Sequence, residues 1–328
     1  MKPSTRGIGY RTVGHAALGV SAGSPSDEYM NESPQAISPR MQWKYTRVEG
    51  RTARYAVGGS GPCVLFLHGW GLTARAYTRP LEQLIGMGIQ VYAPALPGFG
   101  GTSRLPRRHR TIHGYGRWVG RFADAIGLRR PVTVVGHSFG GGVAITTVHR
   151  APDLCERLVL VNSIGGSAWT DSRGVIRAMR ERPLWDWGLH LPADLLPGKQ
   201  LTRVLPVILR DSVPNVLRNP IAVWEVAHLA RTANLASELA DLAERRLPIF
   251  VVWGKRDTII TESTSISLRA ALGDPHTTTV PGGHAWLIDH PRSFGELITN
   301  AIDQPLPLQG DRPSIVAFPE AVTGGTAA

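Results

Sequence analysis

The chain has 328 residues, of which 42% are hydrophobic and 19% charged, and this length and balance are typical of one large globular domain or two ordinary ones. They exclude a wholly disordered chain, a collagen and a coiled coil, and the apolar runs are too short for stable membrane insertion. The formal net charge of +11 comes from 36 basic and 25 acidic residues. Only four basic residues are lysines, and so uniform an arginine bias indicates genome composition rather than a nucleic-acid site.

Both ends of the chain are predicted to be tails. Residues 1–42 are rich in Gly, Ser, Pro and Ala without periodicity, which is typical of disorder, and residues 304–328 have a similar composition. The apolar stretch at residues 16–20 is short and interrupted by glycine, so it makes a poor signal peptide and a cytoplasmic location is expected.

Between the tails, short apolar runs alternate with amphipathic segments. A hairpin is predicted first, at Trp43–Glu49 and Thr52–Val57. Further strands are predicted at Cys63–Leu67, Gln90–Ala93, Val132–Val135, Leu158–Val161, Pro248–Trp253 and Thr277–Val280, and helices at Tyr77–Met87, Thr111–Ile126, Gly141–Arg150 and Thr264–Leu272. Strands that alternate with helices predict an α/β fold with a mostly parallel, doubly wound sheet, formed by residues 43–163 and 248–303.

Residues 164–247 have no strand pattern and are punctuated by prolines. We predict that they form several short helices, inserted as a helical cap, because an insertion of this size in a compact domain is usually a functional lid. Four tryptophans lie in it, Trp169, Trp185, Trp187 and Trp224. Trp185 and Trp187 are the candidate pocket residues for an apolar acyl or aryl group. The alternative, that the tryptophans only dock the cap on the core, is equally open.

Two further features carry no assigned function. The stretch Arg104–Arg130 holds eight arginines and one acid, Asp124, and a solvated face is its default interpretation. The two cysteines, Cys63 and Cys155, cannot make a disulfide framework or a cysteine-based zinc site. We therefore expect no metal and no organic cofactor.

The sharpest motif is Gly136-His137-Ser138-Phe139-Gly140, which follows an apolar strand and precedes a helix. A nucleophilic serine must project from a strained turn, and small neighbours two positions away let strand and helix approach each other. The segment Gly19–Gly23 matches the same G-x-S-x-G pattern, but it lies in the tail without a strand or a helix. Ser138 is therefore the candidate nucleophile, and its alternative role is that of an ordinary helix-start serine.

A serine nucleophile needs a general base and a group that orients the base. Of the eleven histidines, His284 stands out because it follows a predicted strand and two glycines, whereas His137 would point away from Ser138. Asp257 lies four residues past another predicted strand and is the candidate acid; its alternative role is a turn aspartate. The preceding strand ends at Asn162-Ser163 without a carboxylate, which favours Asp257.

Acyl transfer also needs donors for an oxyanion. The strand Cys63–Leu67 leads directly into His68-Gly69-Trp70-Gly71, a loop that exposes backbone N–H groups near the serine turn. We assign the two donors to the N–H groups of Trp70 and Phe139, and a loop-bracing role to His68.

These motifs resemble the α/β-hydrolase fold superfamily, in particular the serine hydrolases with a helical cap. The resemblance rests on His68–Gly71, Ala95–Ser103, Gly136–Gly141, Gly254–Asp257 and Gly283-His284, in the family order Ser, Asp, His. It spans about residues 43–303. The chain departs from the pattern after Asp257, where many relatives have a proline and this chain has Ile259-Ile260-Thr261.

The resemblance implies acyl chemistry, because relatives that cleave epoxides or carbon–halogen bonds carry an aspartate at the position of Ser138. A carboxylic ester hydrolase that acts on a small-molecule ester through an acyl-enzyme is the first hypothesis. The alternatives are a carbon–carbon bond hydrolase of vinylogous diketones, a thioesterase or acyltransferase, and, ranked last, a non-catalytic scaffold protein.

Overall fold

The structure is a computed structural model that describes residues 40–166, 199–260, 262–273 and 275–305. Most of both predicted tails lies outside these residues. The chain begins with a hairpin of β1 (Gln42–Val48) and β2 (Arg51–Gly58), which pair antiparallel along their whole length. Glu49 and Gly50 connect them with φ angles of 48° and 75°, as a two-residue turn with both central residues at positive φ requires.

Six further strands complete one sheet of eight. They are β3 (Cys63–Leu67), β4 (Gln90–Pro94), β5 (Val132–His137), β6 (Cys155–Val161), β7 (Ile249–Gly254) and β8 (His276–Val280). The strand order is β1-β2-β4-β3-β5-β6-β7-β8, and all strands from β4 to β8 in this order are parallel. The prediction of a mostly parallel α/β sheet is confirmed.

Helices cover both faces of the sheet because its central strands are apolar on both sides. In β3, Leu65 and Leu67 belong to the core under α2 (Ile112–Ala125) and α3 (Phe139–Arg150). The alternate residues Val64 and Phe66 belong to the core under α1 (Thr78–Gly86). This alternation of successive side chains between two covered faces is what makes the sheet doubly wound.

The insertion between β6 and β7 is helical where the structure describes it. Its helices are α4 (Lys199–Arg218), α5 (Pro220–Thr232) and α6 (Ala236–Glu244). The prediction of several short helices is wrong for α4, which runs for 20 residues through Pro206 and Pro214. Pro206 is exposed and Pro214 half-buried, so water can bond the carbonyl groups that these prolines leave without an N–H partner.

Three helices follow the cap. They are α7 (Glu262–Ala271), α8 (Trp286–Asp289) and α9 (Pro291–Asp303). The short helix α8 was not among the predicted elements. Within the described ranges, no helix is both long and apolar enough to cross a membrane.

Candidate active site

Ser138 occupies the turn between β5 and α3 in a strained conformation, with φ 55° and ψ −120°. Its backbone N–H donates to the carbonyl of Val161 at 3.0 Å, and its own carbonyl accepts from the N–H of Gly141 at 2.9 Å. The Ser138 side chain makes no capping hydrogen bond to α3. The backbone is therefore held in a region that costs a non-glycine residue of order 1–3 kcal/mol, while the hydroxyl does not act as a helix cap.

Glycines surround Ser138 because strand, turn and helix lie too close for side chains. A Cβ on Gly136 would lie 2.6 Å from the carbonyl oxygen of Gly140, and a Cβ on Gly140 would lie 2.2 Å from that of Leu67. Both partners are backbone atoms and cannot rotate away. The glycine spacing that marked the motif in the sequence is thus a packing requirement of this turn.

Asp257 and His284 meet at the carboxyl edge of the sheet. Asp257 follows β7 and His284 follows β8, and these strands are neighbours. His284 Nδ1 lies 2.9 Å from Asp257 Oδ2. Because a carboxylate only accepts, Nδ1 is the donor, and in the neutral ring Nε2 is left with the lone pair that can take a proton.

The carboxylate of Asp257 is fully buried and makes four hydrogen bonds. The backbone N–H groups of Ile259 and Ile260 each donate to Oδ1 at 2.9 Å, and Asn162 Nδ2 donates to Oδ2 at 2.5 Å, beside the bond from His284. Burial by itself raises the pKa of Asp257, but the charge and hydrogen bond of His284, with the bonds from Ile260 and Asn162, hold it below its ordinary value. The carboxylate stays ionised beside the imidazole.

These bonds also explain the departure from the family pattern after Asp257. A proline at residue 259 or 260 would remove one of the two N–H groups that donate to Asp257 Oδ1. Ile259 and Ile260 are instead buried and bend the loop around the carboxylate.

Asn162 is a site residue that the sequence reasoning missed. It ends β6 at a positive φ of 44°, where asparagine is tolerated better than most residues. Its Oδ1 accepts from the indole N–H of Trp286 at 2.8 Å while its Nδ2 donates to Asp257. The sequence offered one signal for this role: Asn162 directly follows β6, the strand that precedes β7 along the chain, and Asp257 follows β7.

His137 connects the serine turn to His284. Its Nε2 lies 3.0 Å from the carbonyl oxygen of His284 and must donate, so its Nδ1 accepts from the Tyr77 hydroxyl at 2.8 Å. Tyr77 in turn accepts from the N–H of Gly69 at 3.2 Å. Burial, followed by the charge of His284, lowers the pKa of His137 to about 3. The residue before Ser138 is therefore a neutral link between the loop at Gly69 and the backbone of His284, a role that the sequence did not indicate.

The loop His68–Gly71 packs directly against the serine. A Cβ on Gly69 would lie 3.3 Å from Cβ of Ser138. His68 Nδ1 donates to its neighbour's carbonyl at 2.9 Å, and its Nε2 accepts from the N–H of Leu96 at 2.8 Å. Burial lowers the pKa of His68 to about 4, so the ring stays neutral and ties the loop to the segment after β4. Phe139 is the first residue of α3, and an N–H at that position has no acceptor within its helix.

The cap holds the same loop through two buried polar side chains of α4, Asp211 and Asn215. Asp211 Oδ2 accepts from the N–H of Thr73 at 2.6 Å, and Oδ1 accepts from its hydroxyl at 2.8 Å. Asn215 Nδ2 donates to the carbonyl of Gly71 at 3.0 Å, and its Oδ1 accepts from the N–H of Gly100 at 2.9 Å. Their spacing of one helical turn was visible in the sequence, but nothing there named the partners.

The predicted pocket residues are not among those that the structure describes. Trp185 and Trp187, with Trp169, lie outside the described residues. Trp224, the one tryptophan of the insertion that the structure describes, is 59% exposed. It lies on an exposed face of α5.

Comparison with known proteins agrees with this geometry. The model of the alpha/beta hydrolase family matches residues 64–297, and the chain belongs to that family. A pimeloyl-[acyl-carrier protein] methyl ester esterase of Aromatoleum aromaticum is 28% identical over 263 residues, 74% of this chain and 98% of the relative. A 2-hydroxy-6-oxo-2,4-heptadienoate hydrolase of Pseudomonas putida is 28% identical over 265 residues, 76% of this chain and 91% of the relative.

Among solved structures, a bromoperoxidase from Bacillus anthracis superposes with a TM-score of 0.68 at 16% identity, over 80% of this chain and 100% of that one. At this identity the likeness speaks for the fold alone. Taken with the family match and the two relatives, the chain is an α/β-hydrolase enzyme.

Proposed function

We propose that the protein hydrolyses carboxylic esters of small molecules through a covalent acyl-enzyme. The observation that carries the proposal is the strained turn at Ser138, whose neighbour His137 bonds the carbonyl of His284 at 3.0 Å, together with the His284–Asp257 pair, whose facing atoms lie 2.9 Å apart. A binding protein of this fold would need neither the strained serine nor a fully buried carboxylate aimed at an imidazole.

In the proposed mechanism, the Ser138 hydroxyl attacks the ester carbonyl carbon as His284 Nε2 takes its proton. The backbone N–H groups of Trp70 and Phe139 stabilise the oxyanion of the tetrahedral intermediate. Collapse of the intermediate breaks the bond to the alcohol, which takes the proton from His284, and leaves an acyl group on Ser138. Water then gives a proton to His284 as it attacks the acyl carbon. Collapse of the second intermediate breaks the bond to Ser138, which takes that proton back, and the acid is released.

Asp257 supports both steps without becoming protonated. It holds His284 with Nδ1–H toward the carboxylate and stabilises the imidazolium that forms when Nε2 is protonated. Asn162, Ile259 and Ile260 fix the carboxylate for this task. No residue in this sequence of steps calls for a metal or an organic cofactor.

The relative from Aromatoleum aromaticum, a methyl ester esterase, supports an ester as the substrate. The relative from Pseudomonas putida favours a second candidate, hydrolysis of a carbon–carbon bond in a 2-hydroxy-6-oxo-dienoate. Both reactions use the same nucleophile and oxyanion donors, so the substrate and not the catalytic geometry separates them. For the acyl side of either substrate, we propose that Trp185 and Trp187 line the pocket.

The test is labelling by a fluorophosphonate together with hydrolysis of p-nitrophenyl esters and of a 2-hydroxy-6-oxo-dienoate. Ser138→Ala should abolish labelling and lower kcat by about 10⁶-fold, as removal of a triad serine does in well-studied hydrolases. Ser21→Ala is the matched control, since Ser21 lies in the second G-x-S-x-G segment, and it should change neither readout.

Equal loss of activity in both variants would contradict the assignment of Ser138. Turnover of the dienoate with no turnover of any ester would instead establish the second candidate.

A further inference from the structure

The helix α4 of the cap presents different residues to the core and to solvent, and Val204 and Ile208 are buried on its core side. Toward the core, α4 buries the polar residues Asp211 and Asn215 at 6% and 4% exposure. Toward solvent it exposes large apolar side chains, of which Leu217 is 77% exposed. The four exposed apolar residues of α4 recur at helical spacing, so they share one side of the helix: Leu209, Val213, Val216 and Leu217.

Two further exposed apolar residues lie on α5, which follows α4 along the chain and contacts it. Ile221 and Trp224, one turn apart, are 60% and 59% exposed. We call these six residues of α4 and α5 the apolar cap face. They account for six of the ten exposed large hydrophobic residues in the described part of the chain. A contiguous exposed apolar surface of this kind marks an interaction site more often than chance scatter does.

In the described part of α4, the exposed charged side chains are all arginines. Arg203, Arg210 and Arg218 are exposed on α4. The acids nearest in sequence are engaged elsewhere: Asp211 is buried against Thr73, and Glu225 pairs with Arg104 and Arg110 at 2.7 and 3.0 Å. Exposed leucine, isoleucine and tryptophan flanked by arginine is the composition of helices that lie in a membrane interface.

The charge pattern separates two possible occupants. A second copy packed face to face would bring the arginines of both copies together, and among the described residues of this face no free acid is available to pair with them. The surface of an anionic bilayer supplies both an apolar interior for the side chains and negative headgroups for the arginines. We propose that the apolar cap face docks on anionic phospholipid membranes.

This docking is independent of catalysis, and its test uses binding alone. The full chain is sedimented with vesicles of phosphatidylcholine and phosphatidylglycerol in equal amounts, or of phosphatidylcholine only, at 50 mM salt. We expect binding to the mixed vesicles, and weaker binding to neutral vesicles or at 0.5 M salt, because surface electrostatics are screened. Failure to bind the mixed vesicles would overturn the proposal.

The first variant, with Leu217→Gln and Trp224→Gln combined, keeps the net charge and removes apolar contact. It should weaken partitioning by at least about tenfold, given what burial of one such side chain contributes. Ile266→Gln is the matched control, since Ile266 is 51% exposed on α7, and it should change nothing. Equal loss in the control would overturn the proposal, because a change outside this face would then weaken binding as much as the changes within it.

The second variant, with Arg210→Gln and Arg218→Gln combined, should weaken binding to mixed vesicles about 25-fold, at about fivefold per arginine. Arg129→Gln, a change at an exposed arginine outside the cap, should weaken binding to mixed vesicles less.

Light scattering after gel filtration tests whether the apolar cap face binds a second copy of the chain instead. A dimer that the Leu217 and Trp224 changes convert to a monomer, without vesicle binding by either form, would overturn the proposal in favour of self-association.

Discussion

Removal of the Asp211 carboxylate is expected to weaken both the fold and the turnover, because this side chain joins the cap to the loop that follows Trp70. In Asp211→Ala, the N–H and the hydroxyl of Thr73 lose acceptors at 2.6 and 2.8 Å in a buried place. Each unpaired buried donor costs about 1–3 kcal/mol. Burial raises the pKa of Asp211 despite the bonds from Thr73. Replacement by alanine therefore also removes the free-energy cost of burying the charged carboxylate, which offsets part of the loss. The net loss in the free energy of unfolding should be about 2–3 kcal/mol.

Asp211→Asn separates the shape of the side chain from its charge. Its amide oxygen can still accept from the Thr73 N–H, and its NH₂ can donate to the Thr73 hydroxyl oxygen, so the loss should be about 1 kcal/mol or less. Asp241→Asn is the control. Asp241 bonds His149 at 2.8 Å but is 53% exposed, and pairs of this kind contribute about 0–1 kcal/mol.

Urea unfolding measures the free energy of unfolding of each variant, and hydrolysis of p-nitrophenyl esters measures its kcat and KM. If Asp211 positions the oxyanion loop, Asp211→Ala should lower kcat by about 10–100-fold with a smaller change in KM, and Asp211→Asn should recover most of the turnover. If Asp211 had a merely structural role, Asp211→Ala would lower the free energy of unfolding without lowering kcat more than it changes KM. An unfolding midpoint and a kcat near wild type in Asp211→Ala would refute the reasoning.

Three further changes have defined outcomes. Asp257→Asn should lower kcat by about 10⁴-fold, because the amide favours the wrong imidazole tautomer; near-normal turnover would mean that another carboxylate orients the base. Gly140→Ala should cost more than about 3 kcal/mol in urea unfolding, since its Cβ would lie 2.2 Å from a backbone oxygen of β3. Gly120→Ala, with nothing within 4 Å of its Cβ, should be stabilising by about 0.5–1 kcal/mol. For acid stability, the pKa values of His68 and His137 are lowered to about 4 and about 3, so between about pH 6 and pH 4 the unfolded chain binds up to two more protons at these rings than the folded chain. The free energy of unfolding should then fall as the pH is lowered, by up to about 3 kcal/mol for each pH unit, and a flat profile in urea titrations from pH 7.5 to 4.5 would contradict this.

The sheet was predictable because its strands satisfy two requirements at once. Each buried parallel strand is a short apolar run, and several lead directly into a loop residue of the site at the same edge: His68 after β3, Ser138 after β5 and Asn162 after β6. β3 was predicted to the residue, and β7 and β8 to within one residue. β6 begins earlier than predicted, at Cys155, because Glu156 and Arg157 interrupt the apolar pattern. Cys155 and Arg157 both still pair with β5, and the register shifts between them.

The polar surroundings of Asp257 and His284 were not predictable from patterns of this kind. Asn162 binds Asp257 across 95 residues of sequence, and Tyr77 binds His137 across 60. The identity of such partners depends on the exact crossing of strands and loops. A single polar residue at a strand end is compatible with many hydrogen-bond partners. The sequence therefore predicts where such a residue lies, whereas its partner depends on the fold.

The cap shows where the hydrophobic pattern points the wrong way. On pattern alone, Leu209, Val213 and Leu217 would turn toward the core and Asp211 toward solvent. The structure instead buries the side of α4 that carries Val204 and Ile208. On this side Asp211 and Asn215 make four hydrogen bonds, to Thr73, Gly71 and Gly100. Buried polar groups that are fully hydrogen-bonded determine an orientation more strictly than apolar contacts, which many orientations can provide. The apolar side chains are left facing outward at a cost that an aqueous protein has no reason to bear, unless another apolar phase meets them. The same two residues that fix the oxyanion loop thus also determine which face of the cap is offered to a membrane.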